Sequence, residues 1–293
     1  MPNLKDIKTR IVSVKKTRQI TSAMKLVAAA KLKGATERAT AAQPYQQKLK
    51  QVLGRLGERV DGDAAELNPL LSQRDEVKKV LLVLLTSDRG LCGGFNNNLM
   101  RRAQPWIADR IEGEVSVEVR VFGRKGRDFC KSRGIDFTDS VLDYAKTPKM
   151  DLVRPLSNVM VEGYASGEFD EVWLGYNIFE NAASQVPTFS KVLPLSVDAD
   201  EADDTSGNMV DYIYEPSPQA LLESLIPLYL RTLVLQAFLE TEAGEFGARM
   251  LAMDNATRNA GDLIDRLSLE YNRARQAAIT TEITEIVSGA EAL

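Results

Sequence analysis

Both ends of this 293-residue chain are written in helix code and the middle is not, so the polypeptide is expected to leave along one long helix and return along another. From Phe246, small and apolar residues recur at alternating steps of four and three: Phe246, Met250, Met253, Thr257, Ala260, Ile264, Leu267, Tyr271, Ala274 and Ala278. A stripe of that period, held over about five heptads, is the seam of a coiled coil. The first helix offers Leu4, Ile7, Ile11 and Val14, then a stripe in another phase at Ile20, Met24 and Val27, which predicts a change of partner along its length. Periodicity alone leaves a second arrangement open, in which both segments are packing helices of a bundle.

The net charge of −4 hides an asymmetry, because residues 1–38 carry ten Lys or Arg against Asp6 and Glu37, which puts +8 there and −12 on the remainder. A basic arm suits nucleic acid, an anionic membrane or an acidic protein surface. The arm has no aromatic residue to stack on bases, so a basic-helix nucleic-acid binder is the alternative reading and not the leading one. No apolar run is expected to span a membrane, and Met1-Pro2-Asn3 enters the helix without the apolar core of a signal peptide, which predicts a cytosolic chain. Cys92 and Cys130 are then expected as free thiols.

There is no histidine. That removes imidazole bases, Ser-His and Cys-His nucleophile pairs, and His metal ligands together. No Cys-x-x-Cys pattern or cluster of acids takes their place, so no catalytic centre, metal or cofactor is expected.

The first helix is predicted from Asn3 into the fifties, with Pro44 its one interruption, and a Gly- and Asn-Pro-marked linker follows between Gly54 and Pro69. Val80 to Leu85 is an unbroken apolar run that suits a strand covered on both faces. Helices are expected at Asn98 to Ile111, Arg124 to Lys131 and Leu152 to Tyr164, and strands at Val115 to Val121, Val172 to Phe179 and Val186 to Leu195. This alternation predicts an α/β domain with a mostly parallel sheet over residues 77–215, flanked by an N-terminal helical segment 1–60 and a C-terminal one 217–293. The acidic stretch 198–204 reads as a solvated excursion. Ser217-Pro218 starts the last helix and Ser288-Gly289 is expected to end it. Inside it, Pro227 predicts a kink, and Gly244, Gly247 and Gly261 each weaken the helix by about 1 kcal/mol relative to Ala. Asp254 with Arg258 and Asp262 with Arg266 restore some local stability at four-residue spacing.

Glycines between a strand and a helix invite a phosphate-binding reading. Gly90-x-x-Gly93-Gly94 is not Gly-x-Gly-x-x-Gly, however, and no Gly-Lys-Ser/Thr follows it. A tight turn that only packs is the better reading, with Cys92 in it as a small buried hydrophobe.

Three stretches in order carry a resemblance: residues 20–29 (Ile20-Thr21-Ser22-Ala23-Met24 through Ala29), 87–94 (Ser87-Asp88-Arg89-Gly90-Leu91-Cys92-Gly93-Gly94), and 271–290 (Tyr271-Asn272-Arg273-Ala274-Arg275-Gln276 through Ala290). Together they resemble, nearly end to end, the gamma subunit of the F-type rotary ATP synthase. The resemblance implies an antiparallel coiled coil of the two terminal helices plus a central Rossmann-like α/β domain. It implies a rotor shaft that stands inside a ring of alpha and beta subunits, sits on the membrane c ring beside epsilon, and couples proton flow to ATP synthesis or hydrolysis.

By the same resemblance, Arg275 and Gln276 contact a beta loop with Thr280 and Glu282 nearby, and Met24 and Arg249 face the mobile lower part of beta. The changed stripe Ile279, Ile283 and Ile286 would face the ring as a bearing. Tyr212, Tyr214 and Glu215 match the foot that meets the c ring and epsilon, although two tyrosines at that spacing could equally cover a sheet. The resemblance places the chain peripherally at the cytoplasmic face of a bacterial inner membrane. Pro227, Gly244 and Gly247 depart from the family pattern, and the cysteine-bearing insertion of chloroplast relatives is absent.

Overall fold

The computed structural model describes residues 4–59, 68–195, 215 and 217–291. They fall into two compact units, Met1–Ala30 with Arg249–Leu293, and Lys31–Ala248. Helix α1 spans Leu4–Arg59 with Pro44 inside it. The strands and helices that follow are β1 (Lys79–Leu85), α2 (Phe95–Glu112), β2 (Ser116–Phe122), α3 (Arg124–Arg133), β3 (Asp139–Val141), α4 (Lys149–Ala165), β4 (Glu171–Phe179), β5 (Gln185–Leu193) and α5 (Pro218–Glu291).

The five strands form one sheet in the order β3-β2-β1-β4-β5. β1 pairs in parallel with β2 and β4, and β2 with β3, while β5 runs antiparallel to β4 at the edge. β1 is central and covered on both faces, which is why its sequence is apolar without alternation. Leu81, Val83 and Leu85 join a core with Val153, Leu156 and Met160 of α4, Leu49, Leu53 and Leu56 of α1, and Leu222, Ile226, Leu230 and Phe238 of α5. Leu82 and Leu84 face Ala103 and Ile107 of α2, Val119 and Val121 of β2, and Cys130 of α3. β3 had no sequence signal because only three residues pair, Asp139, Ser140 and Val141 against Arg120, Val121 and Phe122. α2 begins at Phe95, ahead of the expected Asn98.

Helix α5 opens where expected: the Ser217 Oγ accepts a bond from the Ala220 N–H at 3.2 Å, and the Ser217 carbonyl accepts one from Leu221 at 3.1 Å. Two expectations for it need correction. It does not end at Ser288-Gly289 but continues to Glu291, because Gly289 stays within the helix instead of turning left-handed to cap it. It also contains an 18-residue window of mean hydropathy 1.3 that would pass as a membrane span on length and composition, although no apolar stretch of that kind was expected. Burial supplies the reason, since Leu222, Ile226, Leu230, Val234, Ala237 and Phe238 all lie in the core. That window is 44% buried inside the protein, so its apolar residues include a core-facing side.

Candidate interaction surface

The turn after β1 is held by its own polar groups. The Thr86 hydroxyl donates to the Phe122 carbonyl at 2.9 Å and accepts from the Gly126 N–H at 2.9 Å. Ser87 N–H donates to Asn96 Oδ1 at 2.9 Å, and Asn96 Nδ2 donates back to Ser87 Oγ at 2.7 Å and to Cys92 Sγ at 3.2 Å. One oxygen of Asp88 accepts the backbone N–H groups of Arg124, at 3.0 Å, and Asp143, at 2.9 Å. Gly123, with φ of 98°, runs so close to the Thr86 carbonyl that a Cβ would sit 2.2 Å from its oxygen. Ser87, Asp88 and Asn96 are thus engaged in binding one loop to another.

In a sheet of this order the strand sequence reverses between β1 and β4, and the crevice above that point is where such folds hold ligands. Helix α5 lies over it. Cys92 and Phe95 pack with Ala248, and Asn177 Nδ2 at the end of β4 donates to the Phe95 carbonyl at 3.3 Å. A Cβ at Gly244 would stand 2.9 Å from the Phe95 ring, and one at Gly247 would stand 3.1 Å from Phe179 and from Ala182. The two glycines that count against helix stability in the sequence are where helix and sheet come closest.

In the unit formed by the chain's two ends, α1 and α5 run antiparallel. Thr257 Oγ1 donates to Thr21 Oγ1 at 2.8 Å, and Lys25 Nζ lies 2.7 Å from the Asp254 carboxylate, which Arg258 also approaches at 3.3 Å. The hydrogen bond from Lys25 holds the Asp254 carboxyl below its ordinary pKa. Ile7, Thr21 and Ala28 of α1 are buried, as are Met253, Ala260, Ile264 and Leu267 of α5. The expected change of phase in α1 is therefore not there. Ile7, Val14, Thr21 and Ala28 keep a step of seven, while Ile20 is 60 % and Val27 57 % exposed and Met24 is half-buried. The seam simply turns to small residues, and the large apolar ones beside it, Ile20, Leu26 and Val27, point outward. The signal was present in the sequence as Thr and Ala at heptad spacing, masked by bulkier neighbours.

Paired positions on the two helices add to 278 or 279, from Thr21 with Thr257 and Lys25 with Asp254, so the partner's first helical residue, Leu4, is level with about residue 275. Among the described residues, α5 continues beyond that without α1 beside it. Ile279 is 47 %, Ile283 56 % and Ile286 71 % exposed, and Arg275, Gln276, Thr280 and Glu282 are exposed among them. The hydroxyls of Thr280, Thr281 and Thr284 donate to the carbonyls of Gln276, Ala277 and Thr280 at 2.8 to 3.0 Å. Threonines satisfied by their own backbone present methyl groups outward, so this helix end offers an apolar surface with Arg275 and Glu282 beside it. Arg249 is half-buried. Tyr212 and Tyr214 lie outside the described residues, and Glu215 is exposed.

Among the described residues no group of three His, Cys, Asp or Glu could hold a metal ion. A cleft of about 380 Å³ opens beside β2, β3 and α4, walled by Phe122, Val141, Leu152 and Leu156, with Arg120 in its lining. Arg120 is joined to Glu118 at 3.6 Å, and Glu118 also binds Lys79.

A family model described as ATP synthase matches residues 3–293. The ATP synthase gamma chain of Moorella thermoacetica is 48% identical over 293 residues, covering 100% of both chains. That of Trichlorobacter lovleyi is 46% identical over 293 residues, covering 100% of this chain and 99% of its own. In fold, the chain is similar to one from the Euglena gracilis mitochondrial ATP synthase, with a TM-score of 0.66 at 21% identity over 99% of this chain and 94% of that one. It is likewise similar to one from the central stalk and c-ring structure of the Tetrahymena thermophila mitochondrial enzyme, with a TM-score of 0.58 at 24% identity over 81% of this chain and 99% of that one.

Proposed function

The chain belongs to the gamma-chain family of the ATP synthases, and from that membership we propose that it is the central shaft of a rotary, proton-translocating ATP synthase. It transmits rotation from the membrane c ring to the catalytic ring of alpha and beta subunits, and so couples proton flow to ATP synthesis or hydrolysis. The observation that carries the reading is the free end of α5. A helix that leaves its partner and continues with Ile279, Ile283 and Ile286 in water exposes a surface that another protein must cover. Inside a ring, that surface is a bearing: apolar contacts are non-directional, so they hold the axis without fixing one angle.

The other assignments follow from the same placement. Arg275 and Gln276, with Thr280 and Glu282, meet a loop of beta, where the Arg275 fork suits a carboxylate. Met24 and Arg249 face its moving lower part, and an unbranched thioether slides over changing surfaces with little directional preference. Tyr212, Tyr214 and Glu215 form the foot toward epsilon and the c ring. The shaft has no catalytic site of its own, a reading supported by the missing histidines and by the α5 segment seated over the sheet's ligand crevice. The complex lies at the cytoplasmic face of a bacterial inner membrane, and the chain reaches the membrane only through it.

The test is purification of the tagged chain from its native membrane, with alpha, beta, epsilon and c subunits expected as companions and absent if the reading is wrong. A Met24→Lys complex then probes the moving face. An added cation there forms ion pairs at some angles and not at others, so pumping per ATP hydrolysed in inverted vesicles is expected to fall while assembly is kept. Unchanged pumping would remove Met24 from that face.

A further inference from the structure

Apolar contacts hold a helix to its neighbours without fixing its angle, because they are non-directional. A shaft that carries torque also needs contacts that resist turning. Within the Lys31–Ala248 unit, α5 has such a contact at Glu242. Its Oε2 lies 3.3 Å from Arg38 Nη2 of α1 and 3.6 Å from Nζ of Lys149, the first residue of α4, so one carboxylate joins three helices. The Glu242 side chain is 18 % exposed and that of Lys149 14 %. Charges withdrawn this far from water are screened less than surface ones, and removing one of them leaves its partners uncompensated.

Lys149 is itself tied to the sheet. Its ammonium stands 5.7 Å from the centre of the Tyr144 ring, and the Tyr144 hydroxyl donates to the Thr86 carbonyl, just past β1, at 2.7 Å. The same ring meets Phe122 of β2 edge-on at 5.9 Å and Phe238 of α5 at 5.7 Å. Gly244 follows Glu242 by two residues, which puts it about 3 Å along α5 and about 200° round it. On that side a Cβ would stand 2.9 Å from the ring of Phe95, at the start of α2, and 3.4 Å from Gln185, at the start of β5. At one level, then, α5 is held by ion pairs on one face and by close packing on the opposite face.

We propose that Glu242, with Arg38 and Lys149, is the grip through which rotation passes between the α/β domain and the two shaft helices. The proposal rests on the rotor reading. A turn of α5 relative to α1 or α4 stretches one of these pairs, and the Coulomb attraction resists it. Both helices run on past this unit, α1 from Leu4 and α5 to Glu291, so a turn imposed on them here is carried along both.

The test uses the whole complex, fixed to a surface by its alpha and beta subunits. A bead is attached to the α/β domain through Ser132→Cys, an exposed position on α3, while the buried Cys92 and Cys130 stay unlabelled. Rotation of the wild-type bead on addition of ATP reports the rotor reading, and a bead that never turns is a failure of that reading alone. The angular spread of a paused bead reports the grip. Glu242→Gln keeps the size of the side chain and removes its charge, and it is expected to widen the spread. Lys149→Met is expected to widen it less, and the double variant to widen it by less than the sum of the two, since both act on one contact. Ile226→Val trims the buried core and leaves the ion pairs intact, so it is expected to lower the melting temperature of the chain without changing the spread. An unchanged spread with Glu242→Gln or Lys149→Met, or an equal widening with Ile226→Val, would overturn the proposal.

Discussion

Gly244 and Gly261 lie in one helix and respond in opposite ways to an added methyl group. At Gly244 a Cβ would meet the buried Phe95 ring at 2.9 Å, and neither the ring nor the helix can retreat without opening the cluster of Cys92, Phe95 and Ala248. Gly244→Ala is expected to destabilise by about 1–3 kcal/mol in urea denaturation, overpacking outweighing the gain in helix propensity. At Gly261 nothing lies within 4 Å, so Gly261→Ala is expected to stabilise by roughly 0.5–1 kcal/mol in a melt followed by circular dichroism. A neutral or stabilising Gly244→Ala would mean that helix and sheet are not pressed together there. The cysteines are a second residue-scale case. Both are free and buried, and burial pushes the Cys130 thiol up to about 11. A thiol reagent at about pH 8 should leave the native chain nearly unlabelled and find both thiols in denaturant, because the thiolate is the reactive form. Fast native labelling at Cys130 would contradict that burial.

At the scale of elements, α5 divides by what covers it. Met253, Ala260, Ile264 and Leu267 are buried against α1, whereas 279–288 is exposed throughout. A helix end without tertiary packing is marginal in water. Hydrogen exchange on the isolated chain should therefore be fast from about Arg275 onward and slow around Ile264, and strong protection past Arg275 would show a partner within the chain. Replacing Ile279, Ile283 and Ile286 together by Ser should move the stability of the isolated chain by no more than about 0.5 kcal/mol each, since surface changes cost little. The same variant should copurify poorly with its companions if those side chains are the bearing, and full recovery of the complex would count against that role.

For the whole molecule, the useful asymmetry is that both tryptophans, Trp106 and Trp173, lie in the Lys31–Ala248 unit, in edge contact with centroids 5.4 Å apart. Arg110 stacks on Trp106 at 3.4 Å, and burial lowers its pKa. Tryptophan fluorescence thus follows that unit alone, while far-ultraviolet circular dichroism is dominated by α1 and α5. Among the described residues the unit made of the two chain ends is one pair of helices with a single buried seam, so its helices should melt first. The dichroism transition is expected to begin at a lower temperature than the fluorescence transition, and coincident curves would show that the chain unfolds as one cooperative body.

The sequence by itself determined the element types and most of their bounds, because heptad spacing, an unbroken apolar strand and a Ser-Pro helix start are local signals that need no tertiary partner. It also carried the change of stripe at Ile279, Ile283 and Ile286, which the structure leaves exposed. What only the tertiary structure decided was which residues face which neighbour. The α1 seam runs through Thr21 and Ala28 and not through Ile20 and Val27, because close helix packing selects small side chains that periodicity of bulk cannot pick out. Gly244 and Gly247 read as defects until Phe95, Phe179 and Ala182, distant in sequence, come against them.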